Sequence, residues 1–116
     1  MAYLAGETAR DVELMDQGFR DSNLIMAPVV LSELLSIPNL MPEDELQFVA
    51  VPLLDILPDY WHRAGRLRAE LLRRKYRPKL ADTLIAQSCI DHYVGLISRD
   101  RDFRPFARYG GLRLLV

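Results

Sequence analysis

Four acidic residues lie in this sequence where a folded chain could bring their carboxylates together. Glu33 falls within an apolar run, Asp82 begins a largely apolar helix, and Asp100 and Asp102 follow a predicted buried strand at residues 94–97. Ligands of open α/β sheets bind beyond the carboxyl ends of the strands, so the loop after residue 97 points acids at that crevice. Clustered carboxylates disfavour one another's ionisation, and a bound Mg²⁺ or Mn²⁺ removes that penalty. We therefore expect a divalent cation site.

A stripe of cations suggests what such a site would act on. Residues 63–79 carry eight cations against the single acid Glu70, although the whole chain has a net charge of −1. Divalent ions can polarise a phosphodiester and generate a nucleophile from water, so acids beside cations suggest metal-assisted phosphodiester hydrolysis. A solvated helix face is the alternative interpretation of the stripe. The residues that we expect to contact a nucleic acid backbone are Arg73, Arg74, Lys75 and Lys79.

Each acid also has a purely structural interpretation. Asp82 could cap its helix, which is a common role of aspartate at a helix start. Glu33 could pair with a cation of the predicted helix that carries the stripe, which we call the basic helix. Asp100 and Asp102 could be solvated loop residues beside neighbouring arginines. The residue pattern alone leaves these alternatives open.

Several other classes of function find little support in the sequence. The histidines, His62 and His92, are far apart without a second ligand near either, and no Ser/His/Asp or Cys/His motif is present. The chain has a single cysteine, Cys89, so a disulfide framework is excluded and we expect a reducing compartment. Cys89 itself is predicted to be a small core residue. No apolar stretch approaches the length of a membrane span, so we expect a soluble cytoplasmic protein that does not bind membranes.

The elements that must position the acids alternate along the chain. Strands are predicted at residues 24–27, 51–56, 94–97 and 112–116, and Gly110 and Gly111 form a turn before the last. The helices are predicted at residues 8–22, from Pro28, from Pro42, after a capping Asp59, and from Asp82. Alternating strands and helices predict one three-layer α/β domain over residues 1–116, with a mostly parallel sheet.

Three segments, in order, resemble the PIN-domain family, specifically the VapC-type toxins of bacterial toxin-antitoxin pairs. They are residues 27–34 (APVVLSEL), 80–87 (LADTLIAQ) and 96–103 (LISRDRDF). The resemblance implies an α/β/α fold with a five-stranded parallel sheet. It also implies a Mg²⁺- or Mn²⁺-dependent endoribonuclease that a cognate antitoxin inhibits. Position by position, Glu33, Asp82 and Asp100 match the metal-binding acids, Asp102 an auxiliary acid, and Ser98 a supporting hydroxyl residue.

The resemblance fails at the front of the chain. Family members open with a central strand ending in an aspartate, whereas residues 1–7 here resemble the tail of the following helix. Either the start codon is assigned too late or the chain completes its sheet another way, such as by forming a homodimer. We therefore expect weak or no ribonuclease activity from the chain as written.

Two other hypotheses remain open. One is a catalytically inert PIN-like module for interaction or dimerisation. The other is a receiver-like domain, which would require a lysine near the last strand, whereas the only lysines are Lys75 and Lys79.

Overall fold

All the strand pairings that the structure describes are parallel. The computed structural model describes residues 2–3 and 24–115. Strand β1 (Ala2–Tyr3) pairs with β2 (Leu24–Ile25), and β2 leads directly into a single parallel bridge between Met26 and Leu53. A second parallel bridge joins Leu96 to Leu114. The predicted parallel pairing is thus confirmed for the described part of the chain.

Three of the strands predicted from the sequence, at residues 51–56, 94–97 and 112–116, are reduced to bridges in the described part of the chain. Around Leu53, the peptide N–H of Met26 donates to Pro52 O at 3.0 Å, and that of Leu54 donates to Met26 O at 2.9 Å. Pro52 has no N–H to extend the ladder, which limits pairing at this position. The segment 94–97 bonds to the last segment through the N–H of Leu96, which donates to Arg113 O at 2.8 Å.

Five α-helices and one 3-10 turn complete the described structure. Proline stands in the first turn of three of the helices, where its missing N–H costs no hydrogen bond. The helices are α1 (Pro28–Leu35), α2 (Pro42–Val49), α3 (Tyr60–Arg73), α4 (Leu80–Asp91) and α5 (Arg104–Gly110), and the 3-10 turn Arg101–Phe103 immediately precedes α5.

Some local predictions need correction. Ala2 and Tyr3, which the sequence pattern aligned with a helix tail, form a strand instead. Asp59 precedes α3 as predicted but has a left-handed backbone (φ 63°) and makes no side-chain capping bond, so its predicted role is wrong. The helix predicted at residues 8–22 lies outside the described residues.

Helix α4 is central to the packing and carries Asp82 near its start. It contacts α1, α3 and α5, and its residues Ile85, Ala86 and Cys89 are buried in the hydrophobic core. The Tyr60 hydroxyl of α3 donates to Leu84 O at 2.6 Å, and an ion pair joins Arg63 to Asp91. Cys89 is free and buried, which confirms its predicted core position. None of the described helices is long and apolar enough to cross a membrane.

Candidate metal centre

Asp82 lies in the first turn of α4 without capping it. The residue at the cap position is Lys79, whose backbone is extended and whose side chain makes no capping bond. The Thr83 hydroxyl donates to Lys79 O at 2.9 Å. Asp82 is half-buried. The interpretation of Asp82 as the helix cap is therefore wrong, and its carboxylate needs another explanation.

Asp100 and Asp102 are held by the loop that follows the buried segment 94–97. The buried Ser98 hydroxyl accepts a hydrogen bond from the peptide N–H of Asp100 at 3.1 Å. Asp100 Oδ1 in turn accepts from the peptide N–H of Asp102 at 2.9 Å, which caps the 3-10 turn. Ser98 thus contacts the loop backbone, and the two exposed aspartates protrude from a loop whose course is fixed.

The structure brings three of the four predicted acids together. One carboxylate oxygen each of Asp82, Asp100 and Asp102 lies within 4.8 Å of the other two, and we call these residues the acidic trio. One member comes from α4 and two come from the loop before α5. The trio therefore depends on the packing of α4 against the 3-10 turn, which the structure shows directly.

The electrostatics of the trio are those of crowded like charges. The pKa of Asp82 is raised to about 6, mainly by burial and then by the negative charge of Asp100. Lys79 opposes the rise, whereas Asp102 and Glu33 add to it. Ionised carboxylates that disfavour one another are stabilised by a divalent cation, and Mg²⁺ and Mn²⁺ prefer such oxygen donors. The donor set therefore fits a hard divalent ion.

Glu33 is near the trio but is not a member of it. It is exposed on α1, a helix that packs against α4, and its charge is the smallest of the contributions that raise the pKa of Asp82. Among the described residues, Glu33 forms no ion pair with the basic helix, so that structural alternative finds no support.

Much of the basic stripe is engaged within the protein. Arg73 and Arg74 both pair with Glu70, at 2.6 and 3.0 Å. The guanidinium of Arg74 also lies 4.1 Å from the centroid of the Tyr109 ring. Lys75 and Lys79 are exposed, and Lys79 is close enough to Asp82 to lower its pKa. Of the four predicted nucleic acid contacts, two are therefore arginines that pair with Glu70, and two are exposed lysines.

Sequence reasoning missed a positively charged cleft beside the trio. The cleft has a volume of about 410 Å³. The charged and aromatic side chains that line it are Tyr76, Arg77, Arg101, Asp102, Arg104 and Arg108, and we call it the basic cleft. Arg101, Arg104 and Arg108 are three and four places apart, which is typical of one helical face. This spacing is the feature of the sequence that could have indicated the cleft.

The fold and the acidic trio define a PIN domain. The PIN domain family model matches residues 1–109, so the chain belongs to the PIN-domain family. This confirms the predicted α/β PIN-like fold.

Two solved structures are similar to the chain. One is VapBC2 from Rickettsia felis bound to a DNA fragment from their promoter, with 19% identity, a TM-score of 0.64, and coverage of 98% of this chain and 97% of that chain. The other is VapBC-5 from Mycobacterium tuberculosis, a member of the VapBC family of toxin-antitoxin systems. It has 20% identity, a TM-score of 0.59, and coverage of 78% of this chain and 79% of that chain. At these identities the likeness concerns the fold. No curated protein matches the sequence significantly.

Proposed function

We propose that this PIN domain is a VapC-type endoribonuclease that depends on Mg²⁺ or Mn²⁺. The observation that carries the proposal is the convergence of the Asp82, Asp100 and Asp102 carboxylates within 4.8 Å, in a chain of the PIN-domain family. The acids come from helix α4 and from the loop before α5, and a bound cation would balance the repulsion among their charges.

The roles of the residues follow from their positions. The acidic trio would hold the cation, and Glu33 would be a further acid of the same site. Ser98 would position Asp100 by accepting the hydrogen bond from its peptide N–H. At neutral pH Asp82, with a pKa of about 6, is mostly ionised and able to bind a cation. When bound, Mg²⁺ or Mn²⁺ would polarise the RNA phosphate and lower the pKa of an attacking water.

The exposed lysines supply part of an RNA contact. Lys75 and Lys79 are available at the surface, and Lys79 lies next to the trio. Arg73 and Arg74 would have to exchange Glu70 for phosphate to take part, because both pair with that carboxylate. Backbone contacts of this kind give binding that weakens steeply with salt.

Cleavage of RNA with the protein in excess tests the proposal. Labelled RNA is incubated with the chain in Mn²⁺ or in EDTA, and Asp82→Asn is compared with Glu43→Gln, which changes an exposed acid on α2. We expect cleavage in Mn²⁺ alone, unchanged by Glu43→Gln and reduced by Asp82→Asn by about 100-fold or more. Equal cleavage by the Asp82 variant and the wild type would contradict the proposal. A chain without any Mn²⁺-dependent cleavage would instead be an inert interaction module.

We extend the proposal to a protein partner. The two similar structures are VapBC assemblies, which supports an antitoxin as the inhibitor of this chain. We place the protein in the cytoplasm, because a toxin of this kind would meet its RNA there. A homodimer is proposed as well. Light scattering of the purified chain, alone and co-expressed with the product of a small adjacent reading frame, measures both assemblies.

A further inference from the structure

The basic cleft gathers cations from three parts of the chain. Arg77 follows α3, Arg101 belongs to the 3-10 turn, and Arg104 and Arg108 lie on α5. All four arginines are exposed, and Asp102 is the acid that shares the wall with them. The wall therefore carries an excess of three positive charges, and a concave surface of one sign concentrates the electrostatic potential within it.

The described part of the chain leaves these charges largely uncompensated. Among the described residues, Arg77, Arg101 and Arg104 form no ion pair, and Arg108 contacts the Tyr109 ring with its guanidinium 5.4 Å from the centroid. This contrasts with Arg73 and Arg74, which Glu70 neutralises in part. Within residues 24–115, the arginines of the cleft can thus bind an anion without first breaking an ion pair.

The cleft adjoins the acidic trio at Asp102. Asp102 belongs to the trio and also lines the cleft, so a strand with one phosphate at the trio has the cleft directly beside it. A volume of about 410 Å³ is within the range of ligand pockets, roughly 300–1,000 Å³, and admits far more than one inorganic ion.

An aromatic ring stands among the arginines. Tyr76 lines the cleft, and its ring packs against Tyr109 with centroids 5.9 Å apart, which fixes its position. Cationic side chains interleaved with aromatic rings are typical of surfaces that bind single-stranded nucleic acid, where bases stack and phosphates pair. An acidic peptide would use the charges but would gain less from the ring.

We infer that the basic cleft binds the phosphate backbone of single-stranded RNA on one side of the phosphate held at the trio. The inference rests on the proposed function for the identity of the substrate. It adds Arg77, Arg101, Arg104 and Arg108 to the exposed lysines as RNA contacts. It also predicts that the RNA strand runs from Asp102 into the basic cleft.

The salt dependence of RNA binding tests the inference. A short fluorescein-labelled oligouridylate is titrated with the whole chain in EDTA, so that no cleavage occurs, and anisotropy is followed over about 50 to 200 mM salt. The test variant Arg104→Gln/Arg108→Gln removes two cations of the cleft. The matched control, Arg66→Gln/Arg113→Gln, removes two exposed cations outside it.

We expect the test variant to bind more weakly and to lower the slope of log affinity against log salt by about 1.4, which is about 0.7 for each phosphate that no longer pairs with an arginine. The control should keep the slope of the wild type. Arg77→Gln, on a different segment, gives an independent result should the α5 variant unfold, and it should lower the slope by about 0.7. Equal slopes for wild type, Arg77→Gln and a folded α5 variant would overturn the inference.

Competition separates RNA from an acidic peptide. Unlabelled oligouridylate should displace the label at lower concentration than polyglutamate of equal charge, and the reverse order would overturn the inference in favour of a peptide. Because the titration contains no metal, cleft-dependent binding without Mn²⁺-dependent cleavage would refute only the proposed nuclease. Cleavage that depends on Asp82 but not on the cleft at any salt concentration would refute only the cleft.

Discussion

At the scale of single residues, Asp82 lacks the features of an aspartate that stabilises the fold. Its side chain is half-buried, it caps nothing, and its pKa is raised to about 6. A structural aspartate usually has a lowered pKa because the fold stabilises its charge. Here the fold disfavours the charge, which is expected where a cation supplies the missing compensation.

Replacing Asp82 by asparagine should stabilise the cation-free chain at neutral pH. The folded state holds the Asp82 proton more tightly than the unfolded state, whose pKa is near 3.8, so folding loses stability as the pH rises from about 4 to about 6. Above pH 6 the full penalty applies, and Asp82→Asn should relieve it by about 1 kcal/mol, a value reduced for the partial exposure of the side chain.

Urea unfolding in EDTA at pH 7.5 and pH 4 measures this difference. The gain should be present at pH 7.5 and should disappear near pH 4, where the wild-type carboxyl is protonated in the folded state. Asp44→Asn, at an exposed position of α2, is the control and should change little. A less stable Asp82→Asn protein at pH 7.5 would show that the fold uses this charge.

At the scale of elements, the site depends on where α4 begins and on how the loop before α5 is fixed. Helix α4 is anchored in the core, and the loop is anchored by Ser98, which is only 2% exposed. A rigid helix thus presents one acid and a hydrogen-bonded loop presents two. Such support is needed because a cation requires its ligands within a few tenths of an ångström.

Ser98→Ala should therefore weaken the site as well as the fold. The substitution leaves the Asp100 N–H without its acceptor, which should cost about 1 kcal/mol of unfolding free energy. It should also reduce Mn²⁺ affinity by roughly tenfold, because the loop would no longer hold Asp100 in place. Ser98→Thr, which keeps the hydroxyl, should retain more of the affinity, and equal affinity for wild type and Ser98→Ala would contradict the supporting role.

At the scale of the whole molecule, the sequence predicts what depends on local order and misses what depends on packing. Asp100 and Asp102 follow a buried segment, so the general rule for α/β sheets predicted that they lie at the ligand-binding edge. Asp82 lies in the first turn of α4, and the residue pattern alone left its metal-binding and capping roles open. The lengths of the strands were harder to predict. Pro52 has no N–H to donate to a neighbouring strand, and the strand predicted at residues 51–56 is reduced to a bridge. The acidic trio could be anticipated because each of its members is near the end of a predicted strand or helix.

The basic cleft could not be anticipated in the same way. Arg77 precedes α4, whereas the other three arginines follow it, and the packing of α5 against α3 and α4 brings them together. The pairing of Glu70 with Arg73 and Arg74 was open to sequence reasoning, because residues three and four places apart are neighbours on a helix, but it was not predicted. A count of charges along the chain thus identified a basic region, but the tertiary structure decides which of its cations are available.

The central claim is that the acidic trio of this PIN domain binds a divalent cation, and a Mn²⁺ titration tests it most directly. Free Mn²⁺ is followed by electron paramagnetic resonance at pH 7.5, for the wild type, Asp100→Asn and the Glu43→Gln control. We predict saturable binding of one Mn²⁺ per chain by the wild type and the control, and binding at least tenfold weaker by Asp100→Asn. The absence of saturable binding, or equal affinity in the wild type and Asp100→Asn, would contradict the claim.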